Sequence, residues 1–401
     1  MQNYKKPLIF VTVLFFLFGF ITCLNDILIP HLKGLFTLNF TQAMLVQVCF
    51  FSAYFFMSIP SGRITHKKGY RFGIVAGLGT AAVGTLGFIP AAQLGSYGVF
   101  LFSFFILASG ITLLQVAVNP YVTLLGVPEK AAFRLNMVQA FNSLGTTLAP
   151  IFGSIMILET EDKVKAVQVP YLMLTVALMV VAVVFSRIPL PSLSGFSNEE
   201  VPESDGSFKE SLTQYWKTMK SYPHLVLGML AIFFYVGAEV SIGSFLVSWL
   251  RDEHVAGFTA EEAGKYVSFY WGGAMIGRFM GSFLTARFKP TRVLQFSLVA
   301  ILGLIAAAVF GYQPGLSMWA IILIGLFNSI QFPTIFSISV AGMGKDTPYA
   351  SGLLCTCIVG GALVPLLQGV VADFGGLRLS FVVPFLCYLY ILLVANRLVK
   401  K

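Results

Sequence analysis

Twelve stretches of this chain are apolar over the length of a bilayer crossing, and that pattern limits what the chain can fold into more than any other feature. Their approximate limits are 8–30, 43–60, 72–92, 98–122, 134–158, 169–190, 224–250, 264–286, 293–311, 316–339, 349–373 and 379–397. A helix of about 20 apolar residues crosses the hydrocarbon core. Lipid offers no hydrogen bonds, so each crossing segment must satisfy its own backbone, and helices do this within one segment. Composition agrees: 57% of residues are hydrophobic and 11% charged, against about 25% charged in a soluble domain. The expected class is an all-α integral membrane protein.

Lys and Arg orient such a bundle, because basic residues are retained on the cytoplasmic side. With a cytoplasmic N-terminus, 20 of the 26 basic residues fall inside and six outside, the six being Lys33, Lys163, Lys165, Arg251, Lys265 and Arg378. Both termini are then cytoplasmic. Lys5 and Lys6 precede the apolar run from Leu8 to Pro30 with no small-residue cleavage pattern, so this run is read as a permanent span rather than a signal. The net charge of +9 is spread over short loops and forms no nucleic-acid footprint. Cys23, Cys49, Cys355, Cys357 and Cys387 all lie in apolar runs, as buried small hydrophobes do, and are read as neither disulfide framework nor metal site. No phosphate-cradling Gly-rich loop with Lys-Ser or Lys-Thr is present, which argues against ATP as the energy source.

One connection is long. Residues 191–223, rich in Ser, Pro, Glu and Lys, separate a first half (1–190) from a second (224–401). They read as a cytoplasmic linker with an amphipathic helix near Phe208 to Met219 lying at the membrane surface. The halves repeat weakly. Asp26 matches Glu239 and Asn119-Pro120 matches Phe332-Pro333, each at an offset of 213; Gly62-Arg63 matches Gly277-Arg278 and Gly145 matches Gly360, each at 215. An offset of six spans preserves orientation, which gives a parallel repeat about the membrane normal. Pro120, Pro150, Pro333 and Pro365 stand at matching places inside spans, where proline kinks a helix.

Charge inside a span costs several kcal/mol and normally faces a cavity or partner. Of 17 acidic residues only two, Asp26 and Glu239, lie well within spans, in the first helix of each half. Each is a candidate cation-coupling carboxylate, and Asp26 is also a candidate Na⁺ ligand. No base is expected at midspan to neutralise either, and Arg278 is expected near the cytoplasmic end of its helix. Neutral polar groups in spans are Asn25, Gln47, Gln115, Asn119, Gln139, Asn142, Asn328 and Gln331. Gln115 with Asn119, Gln139 with Asn142, and Asn328 with Gln331 are three or four apart and share helix faces. Amides donate and accept, as sugar hydroxyls require. Tyr270 and Trp271 precede Gly272-Gly273 and could stack on a sugar ring. Taken one at a time, each amide reads as interhelical glue; together they read as a polar lining.

The loop after the second span resembles the gate motif of major facilitators. Gly62, Lys67, Gly69 and Arg71 fit it, Arg63 lies within it, and His66 stands where the motif has an acid; Arg278 is grouped with this gate through the repeat. Other strings resemble the fucose/glucose/galactose-proton symporter family of that superfamily, from about residue 8 to 395. They are Leu24-Asn25-Asp26-Ile27-Leu28-Ile29-Pro30-His31-Leu32-Lys33, Gln139-Ala140-Phe141-Asn142-Ser143-Leu144-Gly145, Gly243-Ser244-Phe245-Leu246 and Gln331-Phe332-Pro333-Thr334-Ile335-Phe336. The resemblance implies a major facilitator fold of two six-helix halves, cation coupling at Asp26, and a sugar cavity lined at Gln139 and Asn142. Fucose-type members carry a glutamate where this chain has Gln115, which is similar to the bacterial glucose/galactose branch. Some relatives in that branch use Na⁺, which leaves the coupling ion open.

The expectation is therefore a non-enzymatic secondary transporter of the bacterial inner membrane, functional as a monomer. It imports a hexose with Na⁺ or H⁺ by alternating access and uses no other cofactor. Glu239 binds sugar or serves as a second acid. The rival reading is an exporter of another metabolite or a drug on the same fold. All four histidines lie at loops or span ends, which leaves a membrane-embedded enzyme without an evident titratable cluster.

Overall fold

The computed structural model describes residues 5–35, 40–153, 156, 165–188, 208–311 and 313–398. These residues are nearly all helical. The first half contains α1 (Lys5–Leu35), α2 (Phe40–Gln93), α3 (Tyr97–Leu124), α4 (Ala131–Gly153) and α5 (Lys165–Arg187). The linker helix is α6 (Phe208–Ser221). The second half contains α7 (Pro223–Arg251), α8 (Ala260–Arg287), α9 (Pro290–Phe310), α10 (Pro314–Asn328), α11 (Gln331–Ser339), α12 (Thr347–Thr356), α13 (Gly360–Ser380) and α14 (Val382–Val394).

Twelve spans emerge from these elements once the breaks are read physically. A 54-residue α2 would extend about 80 Å at 1.5 Å per residue, far more than one crossing. Gly69, at φ 82° and ψ 165°, breaks it into spans two and three. Gly376 adopts the same angles and separates span eleven from span twelve. A side chain would be strained at this positive φ. Span ten is α10 followed by α11, and span eleven is α12 continued by α13.

Among the described residues, eight helical runs are by themselves long and apolar enough to cross a membrane. One of them, Val48–Gln93, covers spans two and three together, and span twelve holds a shorter apolar helix, Val382–Val394. The other two spans, α4 and α8, fall outside that set. They carry Arg134, Asn136, Gln139 and Asn142, and Glu261, Glu262, Lys265 and Arg278, respectively. The two least apolar spans thus include candidate site residues, Gln139 and Asn142 on α4 and Tyr270, Trp271 and Arg278 on α8.

Helix starts follow local chemistry. Proline opens α7, α9 and α10, where its missing N–H is no loss. At α8 the Thr259 side chain accepts from the Glu262 N–H at 3.3 Å, and the Thr259 N–H donates to the Glu262 carboxylate at 2.9 Å. This reciprocal box satisfies two otherwise unpaired donors.

The structure comprises two compact units. One is Met1–Gly126 with Leu144–Ser221 and Gly342–Thr356; the other is Val127–Ser143 with Tyr222–Ala341 and Cys357–Lys401. Each unit thus takes in a segment from the opposite sequence half. In the first, α12 packs on α2 and α3, and Ser351 donates to the Val116 carbonyl at 2.8 Å. In the second, Asn136 of α4 donates to Thr334 of α11 at 3.2 Å.

The repeat has a packing counterpart inside each unit. A Cβ on Gly145 would collide with the Phe16 carbonyl of α1, and one on Gly360 with the Phe233 carbonyl of α7. Two glycines that match in the sequence therefore let matching helix pairs cross backbone to backbone, as small residues do in membranes.

Candidate functional site

The second unit gathers polar groups from six helices. Glu239 of α7 lies one helical turn from Tyr235, which is fully buried. Arg278 of α8 reaches it: Nη2 lies 4.0 Å from Glu239 Oε1. The same guanidinium donates through Nε to the Ser329 carbonyl at 3.2 Å and through Nη1 to the Ser143 hydroxyl of α4. Two expectations are corrected by this geometry. A base does lie beside Glu239, and Arg278 takes its place within the polar cluster rather than at a helix end. The reason is length: the arginine stem carries its planar head well beyond its own helix turn, and the five-donor fork serves two acceptors while facing the Glu239 carboxylate.

A second strand of the network runs through Asn328 of α10. Tyr388 of α14 donates to Asn328 Oδ1 at 2.8 Å, and Asn328 Nδ2 lies 3.5 Å from the Tyr270 hydroxyl of α8. All three residues are buried. Gln331, one turn on, is wholly buried with neither amide atom hydrogen-bonded. Gln139 and Asn142 are buried on α4, beside the Ser143 that Arg278 engages. Phe141 packs edge-on against Phe279 at 5.9 Å and joins α4 to α8 at that level. Trp271 touches Tyr270 edge-on at 5.1 Å but is 46% exposed and stands outside the hydrogen-bonded cluster.

In the first unit, Gln115 and Asn119 share a face of α3. Asn119 is fully buried and both its amide atoms lack a partner, as does the Gln115 carbonyl oxygen. Gln115 lines a small pocket with Leu14, Phe15, Phe18, Leu114 and Val118. An unpaired buried amide costs about 1–3 kcal/mol. Asn25 and Asp26 lie on α1 and Gln47 on α2; their side chains are outside the described residues.

The gate loop is also in the first unit. A Cβ on Gly62 would meet the Tyr215 hydroxyl, the Pro348 carbonyl and Gly352. Tyr215 of α6 is buried and donates to the Ile59 carbonyl at 2.5 Å. His66, in the acid's place, stacks on Tyr349 of α12 at 4.4 Å between centroids, with Nδ1 3.2 Å from the hydroxyl. Arg71 donates to the Ser186 carbonyl at the end of α5, where a cation meets the negative end of the helix. Arg63 and Lys67 line the same loop.

Two participants were missed in the sequence. Tyr388 sits in a continuous apolar run, and only its hydroxyl distinguishes it from the phenylalanines around it. Tyr215 lies in a polar linker helix, and nothing nearby in the sequence points to Gly62, some 150 residues earlier.

Residues 9–364 match the Major Facilitator Superfamily. The chain belongs to that superfamily. This transporter is 49% identical to a glucose/galactose transporter of Brucella abortus, over 97% of this chain and 93% of that protein. It is 34% identical to the L-fucose-proton symporter of Escherichia coli, over 98% and 93%. It superposes on the outward-conformation crystal structure of the major facilitator FucP with a TM-score of 0.90 at 33% identity, covering all of both chains. The fold is therefore the major facilitator fold of twelve transmembrane helices, and the resemblance to the fucose/glucose/galactose symporter family is borne out. The transporter is a multi-pass membrane protein and not an enzyme.

Proposed function

We propose that the transporter imports a hexose of the glucose/galactose type with a cation, by alternating access of two halves, 1–190 and 224–401, joined by the 191–223 linker. One observation carries the reading: in the second unit a carboxylate–guanidinium pair lies in the same cluster as an Asn held between two tyrosines and a buried Gln with its amide unsatisfied. Donors and acceptors alternate over these groups, as a ring of hydroxyls demands. The names of the relatives support the same cargo.

In this reading Asn328, Gln331, Gln139, Asn142 and Tyr270 of the second unit bind sugar hydroxyls and Trp271 offers a stacking face; Gln115, Asn119, Asn25 and Gln47 of the first unit are likewise read as sugar-binding residues. Glu239 binds sugar through its pairing with Arg278. Asp26 is the coupling carboxylate. Proton coupling is favoured by the proton-symporter relative; Gln115 removes one titratable group, so Na⁺ is the competing ion. The protein works as a monomer in a bacterial inner membrane with both termini cytoplasmic, and Gly62, Arg63, Lys67, Gly69 and Arg71 form its cytoplasmic gate.

The test is uptake of radiolabelled glucose and galactose in transport-deficient cells, driven separately by proton and sodium gradients, with Asp26→Asn beside wild type. Concentrative uptake by wild type and none by Asp26→Asn is expected. Failure of wild type to accumulate any hexose defeats the cargo; full accumulation by Asp26→Asn defeats the coupling role.

A further inference from the structure

The gate loop borders a cavity of about 370 Å³ whose lining includes none of the proposed sugar-binding residues. It is lined by Ile59, Pro60, Arg63, Ile64, Lys67 and Lys68 of α2 and by Tyr215 of α6. Pro60, Arg63, Ile64 and Lys67 are three or four residues apart and share a helix face. Three cations therefore converge on one wall while Ile59, Pro60, Ile64 and the Tyr215 ring form an apolar floor. No lining residue is acidic. Asp346, in the loop before α12, accepts from Gln214 at 3.3 Å and is not among the lining residues.

Two features beside the cavity suit a membrane–water boundary. Lys68 lies 4.5 Å over the ring of Phe72, which is itself exposed where the third span begins. On α6, Trp216, next to Tyr215, is 63% exposed, and tryptophan favours the membrane–water boundary. Gly62 belongs to the same assembly, because the Tyr215 hydroxyl occupies the space a side chain there would need.

We propose that this cavity binds a phosphate ester, with Arg63, Lys67 and Lys68 holding the phosphoryl oxygens. The apolar floor favours a phosphodiester carried by an anionic phospholipid, whose glycerol and first methylenes lie on Ile59, Pro60 and Ile64. A water-soluble phosphate uses the cations alone. Occupancy ties α6 to the gate loop through Tyr215, so the linker is held in place by a lipid rather than by sequence-specific contacts alone.

The full-length protein in a neutral detergent tests this by thermal melting during titration with phosphatidylglycerol, phosphatidylcholine, glycerol 3-phosphate or inorganic phosphate. The variant is K67Q/K68Q, and K67R/K68R keeps the charge. Phosphatidylglycerol should raise the melting temperature of wild type and K67R/K68R alike and be needed at about tenfold higher concentration in K67Q/K68Q, since each basic residue near an anionic surface adds severalfold to binding. Phosphatidylcholine should do little. An equal response to glycerol 3-phosphate supports the site and assigns it to a soluble ester. Equal effects of the two lipids overturn the proposal, as does an unchanged midpoint concentration in K67Q/K68Q or a loss of response in K67R/K68R. If K67Q/K68Q fails to fold, K68Q alone takes its place, with a severalfold shift expected and none overturning the site. No sugar enters these measurements, so their outcome is independent of the cargo.

Discussion

The pairing of Glu239 with Arg278 is the contact on which the site reading leans most, and a double-mutant cycle tests it directly. The perturbations are Glu239→Gln, Arg278→Met and the two combined. At 4.0 Å, two unit charges in an effective permittivity of about 20 attract by about 4 kcal/mol. The side chains are 15% and 18% exposed, so water retains some access and about half of that, ~2 kcal/mol, is the expected coupling. Arg278→Met should be the costliest variant, about 3 kcal/mol, because it strands the carboxylate and also removes the donors to Ser143 and the Ser329 carbonyl. The double variant should then be less damaged than the sum of the singles by ~2 kcal/mol. Unfolding free energies are read from reversible denaturant melts in detergent, with hexose uptake measured in parallel. Effects that add to within about 0.5 kcal/mol would refute the pairing, since uncoupled residues behave that way.

Three further outcomes follow from other contacts. Gly360→Ala should cost about 1–3 kcal/mol by driving a methyl into the Phe233 carbonyl, whereas Gly303→Ala, with nothing within 4 Å, should be neutral or stabilising by up to about 1 kcal/mol; equal effects in thermal melts would contradict the close crossing. Tyr388→Phe removes the 2.8 Å bond to Asn328 and leaves a buried acceptor unmet, so stability should fall by about 1–3 kcal/mol and the KM for hexose uptake should rise; unchanged values of both would remove Asn328 from the network. The capping box at α8 makes a pH prediction: bonds from the Thr259 N–H and hydroxyl hold the Glu262 carboxyl below its usual range of 4.5. A depressed folded pKa adds stability above pH 4.5 that is lost as pH falls through the lower folded value. The melting difference between wild type and Glu262→Gln should therefore be full at pH 7 and shrink as the pH falls below 4.5; a difference independent of pH would exclude the charged cap.

The sequence alone determined the spans, because lipid removes every alternative to a self-satisfied helix and a run of about 20 apolar residues is hard to place elsewhere. It also exposed the duplication: Gly145 and Gly360 recur because each is the only residue type that lets its two helices touch. Asp26 and Glu239 stood out for the same reason, since charge is so costly in a span that the few acids present were legible as candidates. Helical spacing then told which amides share a face. It could not tell which helix that face meets. Glu239, Arg278, Asn328 and Tyr388 are separated by between 39 and 149 positions, and a 3.6-residue period carries no information over such gaps. Only the packing of α4, α7, α8, α10 and α14 drew Arg278 into the cluster, made Tyr388 a donor among phenylalanines, and put Tyr215 of the linker where Gly62 leaves room. Periodicity is local and fixes each helix by itself; a site assembled from several helices depends on how they cross, and that is decided by the shapes of the surfaces that meet.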